Sequence, residues 1–167
     1  MHFDTQLVEQ IPRLRRYARA LTGDAGRADD LVQDTLERAL RKRTLWRPGS
    51  NLRAWLFSVM HNVHVNQLRR TPSGTAVDYE TQNLQASGNL DDDTAAVRDI
   101  FRGIAQLPLE MREVILLVGL EQFSYAETAK VLAIPIGTVM SRLSRARERL
   151  RGWLGGDQSN AKLKVVK

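Results

Sequence analysis

The sequence predicts an all-α protein of two small helical domains joined by a flexible acidic linker. Apolar residues recur at every third or fourth position on both sides of a polar central segment, as they do on the buried faces of helices. The 167 residues suffice for one medium domain or two small ones. No apolar run approaches the roughly 20 residues of a membrane span.

Charge divides the chain in the same way. Residues 1–70 carry 13 basic and 7 acidic side chains, residues 71–93 carry 5 acidic and no basic ones, and residues 94–167 carry 12 basic and 7 acidic ones. The central segment is also rich in Thr, Ser, Gly, Asn and Gln, so it buries too little apolar surface to offset its ordering entropy. We predict a linker over 71–93; a long loop within one domain is the alternative.

Three helices are predicted in the first block. Their apolar stripes cover 3–21, 28–40 and 55–63. Pro12 is expected to kink or restart the first helix because it lacks an amide hydrogen. Gly23 is expected to follow the end of that helix, and Ser50 or Asn51 is the N-cap candidate of the third helix.

The third predicted helix has a polar face that suits nucleic acid. Asn62, Asn66 and Arg69 or Arg70 are three or four residues apart, so they share one side of the helix. Amides pair with base edges, and arginines pair with phosphate or guanine. The alternative is an ordinary solvated face.

No catalytic, metal or cofactor site is predicted. The chain has no cysteine, which excludes disulfides and thiolate ligands. His61 and His64 are not four apart and have no acidic neighbour in sequence, so a metal site there is not expected. No Gly-rich phosphate loop, triad or paired-carboxylate site is present, which disfavours an enzyme. With no signal peptide pattern, a cytoplasmic location is expected.

The second block contains a predicted helix-turn-helix. Ser124 and Glu127 form a capping-box pattern that opens a short helix. Pro135 interrupts it, and a longer helix starts at Ile136 or Gly137. Two helices joined by so short a turn are typical of this DNA-binding motif.

The longer helix has the composition of a recognition helix. Its N-terminal half carries Thr138, Ser141 and Ser144, in the part of the motif that reads base edges. Five arginines follow closely and suit phosphates: Arg142, Arg145, Arg147, Arg149 and Arg151. The alternative is a helical hairpin whose basic face serves only solubility.

Over nearly all of residues 5–153 the chain resembles an extracytoplasmic-function (ECF, group four) sigma factor of bacterial RNA polymerase. The matching motifs of the first block are Asp29-Asp30-Leu31-Val32-Gln33-Asp34-Thr35, Leu52-Arg53-Ala54-Trp55-Leu56, and Asn62 through Arg69-Arg70. Those of the second block are Leu107-Pro108, Arg112-Glu113-Val114, Ser124 through Ala129, Ile134-Pro135, Gly137 through Leu143, and Arg145-Ala146-Arg147. Either pattern alone would be weak evidence for the family, whereas both patterns in this order and at this spacing are strong evidence.

The resemblance implies two domains and three sets of binding residues. It implies sigma domain 2 over 1–70 and sigma domain 4 over 94–154, with partners in promoter DNA and in core polymerase, at its β′ coiled coil and β flap. The two glycines and three lysines of residues 155–167 separately indicate a disordered basic tail. Polymerase binding falls on Asp30, Leu31, Gln33, Asp34 and Arg38. Reading of the minus-ten element falls on Asn62, His64, Asn66, Arg69 and Arg70. Reading of the minus-thirty-five element falls on Thr138, Met140, Ser141, Arg142, Ser144, Arg145 and Arg147.

Three positions depart from the family pattern. Asn66 stands where the family often has Asp, and Met140 stands where many members have Arg or Lys, which removes a possible guanine contact. Ala133 replaces a common Gly, and a positive φ there strains an alanine by about 1 kcal/mol. Trp46 and Trp55 are able to stack on a base, but Trp55 lies in the apolar stripe and is expected in the core.

The resemblance also implies regulation. ECF factors are usually held inactive by an anti-sigma factor, and the 11–15 segment with the Asp-Leu-Val-Gln-Asp helix is similar to the general-stress-response subgroup. In the family the acidic linker threads toward the RNA exit path of the polymerase. Two alternatives remain: a sigma-like decoy that sequesters an anti-sigma factor, and a stand-alone helix-turn-helix regulator.

Overall fold

The computed structural model describes residues 2–70 and 95–155, and every regular element within these ranges is helical. The predicted linker over 71–93 and the tail from residue 156 onward lie outside the described residues. The elements are α1 (Phe3–Thr22), α2 (Ala25–Arg41), a 3₁₀ turn (Arg43–Leu45), α3 (Leu52–Arg70), α4 (Ala95–Ala105), α5 (Leu109–Ile115), a π-helical turn (Leu116–Leu120), α6 (Tyr125–Leu132) and α7 (Ile136–Gly155). The predicted all-α class is confirmed, and no described helix combines the length and apolarity that crossing a bilayer requires.

Helix α1 continues through Pro12 without a break, so the predicted restart is wrong. Pro12 and Val8 are both exposed, and water can therefore satisfy the Val8 carbonyl that loses its helical donor. Gly23 ends the helix in the left-handed region at φ 70°, and its amide donates to the Arg19 carbonyl at 2.9 Å. The predicted end of α1 is confirmed.

The starts of α2 and α3 are set by side-chain caps. Asp24 accepts a 3.2 Å hydrogen bond from the Gly26 amide, so α2 begins before its apolar stripe. As a result no acidic side chain lies in the first turn of α2, and Asp29 and Asp30 lie in the second turn, where the helix dipole acts on them more weakly. Asn51 accepts a 3.1 Å hydrogen bond from the Ala54 amide and is the cap of α3.

Two groups of helices, α1–α3 and α4–α7, share one continuous core. The first is built around fully buried side chains such as Leu14, Leu31 and Leu56. At the boundary Phe57 of α3 meets Phe123, with ring centroids 5.3 Å apart in an edge-on arrangement. The described residues of the two groups are therefore packed directly against each other, an arrangement that the sequence left open.

Candidate functional site

The short helix α6 positions α7. Ser124 accepts a 3.0 Å hydrogen bond from the Glu127 amide, and Glu127 accepts one of 3.0 Å from the Ser124 amide, so the predicted capping box is confirmed. The hydrogen bond from the Ser124 amide is the main cause that lowers the pKa of Glu127. Helix α6 then ends at Ala133 in the left-handed region, with φ 54° and ψ 47°. The position that is commonly glycine in the family therefore has a positive φ, so the condition for strain at this alanine is met.

Helix α7 buries one face and exposes the other. Val139, Leu143 and Ala146 are almost completely buried. Most of the residues predicted to read the minus-thirty-five element lie on the exposed side, namely Met140, Ser141, Ser144, Arg145 and Arg147. Thr138 and Arg142 are half-buried. Arg142 lies 3.8 Å from the Glu110 carboxylate, so part of its charge is directed at α5.

The residues predicted to bind polymerase lie on α2 and differ in exposure. Asp30, Gln33 and Asp34 are exposed, and the Gln67 amide of α3 donates a 2.7 Å hydrogen bond to Asp34. Arg38 is half-buried, whereas Leu31 is completely buried in the core. Leu31 therefore packs in the core, whereas the exposed polar residues of α2 are accessible to a partner.

A cavity of about 740 Å³ lies beside this α2 surface. Asp30, Gln33 and Asp34 line it together with Arg70 of α3 and Arg112 of α5. It thus joins the α2 surface to α3 and to the second group of helices.

The residues predicted to read the minus-ten element lie on α3. Asn62, Arg69 and Arg70 are exposed, and Asn66 is half-buried. His64 differs from them because its side chain is buried, with only 8% exposed. Burial, followed by the charges of Arg112 and His61, lowers the pKa of His64 to about 4, so the imidazole is neutral at pH 7.

Trp46 and Trp55 both pack against Phe3. The rings of Phe3 and Trp46 have centroids 5.4 Å apart, and those of Phe3 and Trp55 are 6.1 Å apart. Both tryptophans are partly buried against the core. Their rings are therefore already engaged in packing in this arrangement.

Polar contacts between the two helical groups are the part of the site that sequence reasoning missed. Arg16 of α1 lies 3.3 Å from the buried Glu121 carboxylate, and Arg53 of α3 donates a 2.6 Å hydrogen bond to the Glu121 carbonyl. His61 pairs through Nδ1 with the buried Glu113 carboxylate. No local pattern predicts these contacts, because each joins residues more than 50 positions apart.

Arg112 strengthens the same boundary. It donates hydrogen bonds to the carbonyls of Leu21 at 2.7 Å, Ala105 at 2.9 Å and Leu107 at 2.8 Å. The Leu21 carbonyl belongs to α1, the Ala105 carbonyl to the last residue of α4, and the Leu107 carbonyl to the segment between α4 and α5. The family motif Arg112-Glu113-Val114 is the only sequence signal that points to this residue.

Burial alters the ionisation of two further groups at this boundary. It raises the pKa of Glu121, with the nearby Arg16 opposing the effect. It also raises the pKa of Tyr17 well above its ordinary value, helped by the negative charges of Glu113 and Glu121. The interface between the two helical groups therefore contains buried ionisable groups as well as apolar side chains.

Two family models match the two helical groups. Residues 7–61 match the model described as "Sigma2 domain of PhyR", and residues 98–150 match "Sigma-70, region 4". The chain is 37% identical over 150 residues to the ECF RNA polymerase sigma factor EcfG of Rhodopseudomonas palustris, covering 89% of this chain and 82% of that relative.

Two solved structures are similar along most of the chain. The sigma factor RpoE of Bartonella quintana, solved in complex with the anti-sigma factor NepR, gives a TM-score of 0.74 at 32% identity, covering 93% of this chain and 98% of that one. The PhyR stress response regulator gives 0.58 at 30% identity, covering 89% of this chain and 50% of that one.

Proposed function

The chain belongs to the ECF family of RNA polymerase sigma factors, and on that premise we propose how its residues bind core polymerase and direct promoter-specific initiation. Residues 1–70 act as sigma domain 2 and residues 94–154 as sigma domain 4. The observation that carries the proposal is α7, which exposes short polar and cationic side chains behind a capped α6 while its apolar face is buried. That is the geometry of a helix that enters the major groove.

Helix α2 is the proposed polymerase-binding surface. Asp30, Gln33 and Asp34 are exposed on neighbouring turns, and the half-buried Arg38 continues the same side. Leu31 supports this surface from the core rather than touching the partner. The Gln67 hydrogen bond to Asp34 holds one carboxylate in a defined orientation, which reduces the entropy lost when a partner binds.

Helix α3 is the proposed reader of the minus-ten element. Asn62 and Asn66 supply amides, and Arg69 and Arg70 supply cations for the backbone of a single strand. His64 becomes available to DNA only if the second domain moves away from α3.

Separation of the domains is part of the proposal. The two promoter elements are centred about 25 base pairs apart, or about 85 Å along straight DNA at 3.4 Å per base pair. The longest described helices have 20 residues, or about 30 Å. A chain with α3 packed against α6 and Phe123 cannot reach both elements at once, so the packed arrangement is a state that precedes promoter binding.

Control by an anti-sigma factor in a stress response is proposed from the relatives. The similar sigma factor RpoE was solved with the anti-sigma factor NepR, and a second similar structure is described as a stress response regulator. We place the action of this chain in the cytoplasm with core polymerase and assign it no catalytic activity of its own.

A decoy function is the second candidate. One observation favours it, because residues 7–61 match a model named for PhyR rather than for a sigma factor. The exposed Arg145, Arg147, Arg149 and Arg151 argue against it, since a protein-only decoy has no use for a basic recognition helix.

Transcription in vitro tests the proposal and separates the candidates. Two reactions are compared, one with core polymerase alone and one with core polymerase plus the chain. Both receive fragments of the source genome as template, and transcription start sites are mapped by sequencing. The proposal expects new start sites that share one upstream element and require the chain. A chain that binds an anti-sigma factor but neither binds core nor starts transcripts would be a decoy.

A further inference from the structure

The exposed face of α7 carries an apolar pair. Of the six large hydrophobic residues that are most exposed in the described ranges, two lie on the first turns of this helix: Ile136 is 47% exposed and Met140 is 50% exposed. They are four residues apart and therefore lie on the same side of the helix, followed by Ser144 on the next turn. Single exposed apolar residues are ordinary, but an apolar pair on the surface that meets a ligand indicates an apolar contact with that ligand.

The surroundings of this pair identify the ligand as duplex DNA. A side chain added at Gly137 would meet nothing within 4 Å, so the surface around the pair is open. Ser141, Ser144, Arg145 and Arg147 flank it and are exposed. A surface of this charge suits a polyanion better than an apolar protein partner.

The apolar group that DNA offers in the major groove is the C5-methyl group of thymine. We propose that Met140 reads a thymine in the minus-thirty-five element by contact with this methyl group, with Ile136 covering its outer edge. This inference rests on the proposed function and deepens it by naming a base at one position. Methionine suits the contact because its unbranched, polarizable side chain adapts to the position of a methyl group.

Removal of the methyl group alone is the direct test. Holoenzyme made from core polymerase and the full chain selects duplexes from a randomised library, and each thymine of the selected upstream element is then replaced by deoxyuridine. One replacement should weaken binding about fourfold, the value expected for one buried methyl group. Holoenzyme with Met140→Ala should bind the thymine duplex about fourfold more weakly than the parent does. Its affinity for the deoxyuridine duplex should be no lower than its affinity for the thymine duplex.

Two variants complete the test. Met140→Lys should shift the selected base from thymine toward guanine, because lysine donates to the O6 and N7 atoms of guanine. Ile100→Ala is the matched control, since Ile100 is an exposed apolar residue of α4 outside the helix-turn-helix, and it should leave the selection unchanged.

The outcomes separate the inference from the function on which it rests. If holoenzyme selects no duplex, the proposed function fails and the inference fails with it. If it selects a duplex and Arg145→Ala weakens binding, the proposed function stands. The inference alone is then overturned by either of two results: deoxyuridine does not weaken binding, or it weakens binding by the Met140→Ala holoenzyme as much as binding by the parent. A change in oligomeric state with Met140→Ala, without any change in DNA binding, would instead assign the pair to a protein contact.

Discussion

Arg53 joins the two helical groups through two contacts with one short segment. Its guanidinium donates a 2.6 Å hydrogen bond to the Glu121 carbonyl and lies 4.1 Å from the centroid of the Phe123 ring. The segment that receives it follows the π-helical turn and includes Gln122 at φ 59°, a conformation that costs a non-glycine residue free energy. Strain and interdomain contacts therefore coincide at one place, where the two groups would have to separate.

Arg53→Ala should favour separation of the domains. A hydrogen bond from a charged donor contributes about 1.5–3 kcal/mol, so its loss should raise the ratio of separated to packed molecules by about tenfold or more. Because the chain has no cysteine, Leu45→Cys and Ile100→Cys provide unique sites for a donor and an acceptor dye. Energy transfer between them should fall in Arg53→Ala, while the far-UV circular dichroism is retained.

Arg41→Ala is the control for this experiment. Arg41 forms a 2.6 Å ion pair with Glu37, but both belong to α2 and both are exposed. Energy transfer should stay at the parent value. Equal transfer in the parent and in Arg53→Ala would show that Arg53 does not hold the domains together.

His64 should make the folded chain sensitive to mild acid. Its folded pKa of about 4 lies below the unfolded value near 6.5, so the unfolded chain takes up the proton first. The stability linked to His64 is therefore fully present above pH 6.5 and is lost as the pH falls toward 4, to a limit of about 3 kcal/mol. Urea unfolding at pH 7 and pH 4.5 should show a smaller difference in His64→Gln than in the parent.

The contribution of His64 is obtained by subtracting the pH dependence of unfolding in His64→Gln from that of the parent. Glu121 has the opposite sign, because its raised pKa gives stability that is present at low pH and lost as the pH rises through the folded value. This contribution is common to both proteins and cancels. A difference between pH 7 and pH 4.5 that is the same in His64→Gln as in the parent would refute the burial argument.

Ala133→Gly should stabilise the second domain. Ala133 adopts φ 54° at the end of α6, where glycine avoids a steric cost of about 1 kcal/mol. Chemical unfolding should show a gain of that order. Ala129→Gly, inside α6, is the matched control and should instead lose about 1 kcal/mol because the helix interior disfavours glycine. A loss at both positions would mean that the turn does not strain its alanine.

Local features were predicted well because they depend on neighbouring residues. The Ser124–Glu127 capping box and the Gly23 end of α1 each follow from a few adjacent positions. The restart predicted at Pro12 does not occur, because the cost of a proline depends on whether water reaches the carbonyl it leaves without a partner. That exposure is a property of the fold.

The site was predicted less completely, because its polar boundary is built from distant residues. Arg16 and Glu121 are 105 positions apart, and neither side chain belongs to a pattern that requires the other. His64 was placed with the minus-ten residues by the family motif. Helical spacing alone puts it about 200° from Asn62, on the side that the structure buries.

We assign polymerase binding to α2 and promoter binding to α7, so mutations should separate the two functions. The most direct measurement is the affinity of two variants for core polymerase and, as holoenzyme at saturating core, for a selected promoter duplex. Arg145→Ala should lose about tenfold in duplex affinity at unchanged core affinity. Gln33→Ala with Asp34→Ala should lose at least about fivefold in core affinity and bind duplex normally once saturated. Equal loss of both affinities in both variants would contradict the claim.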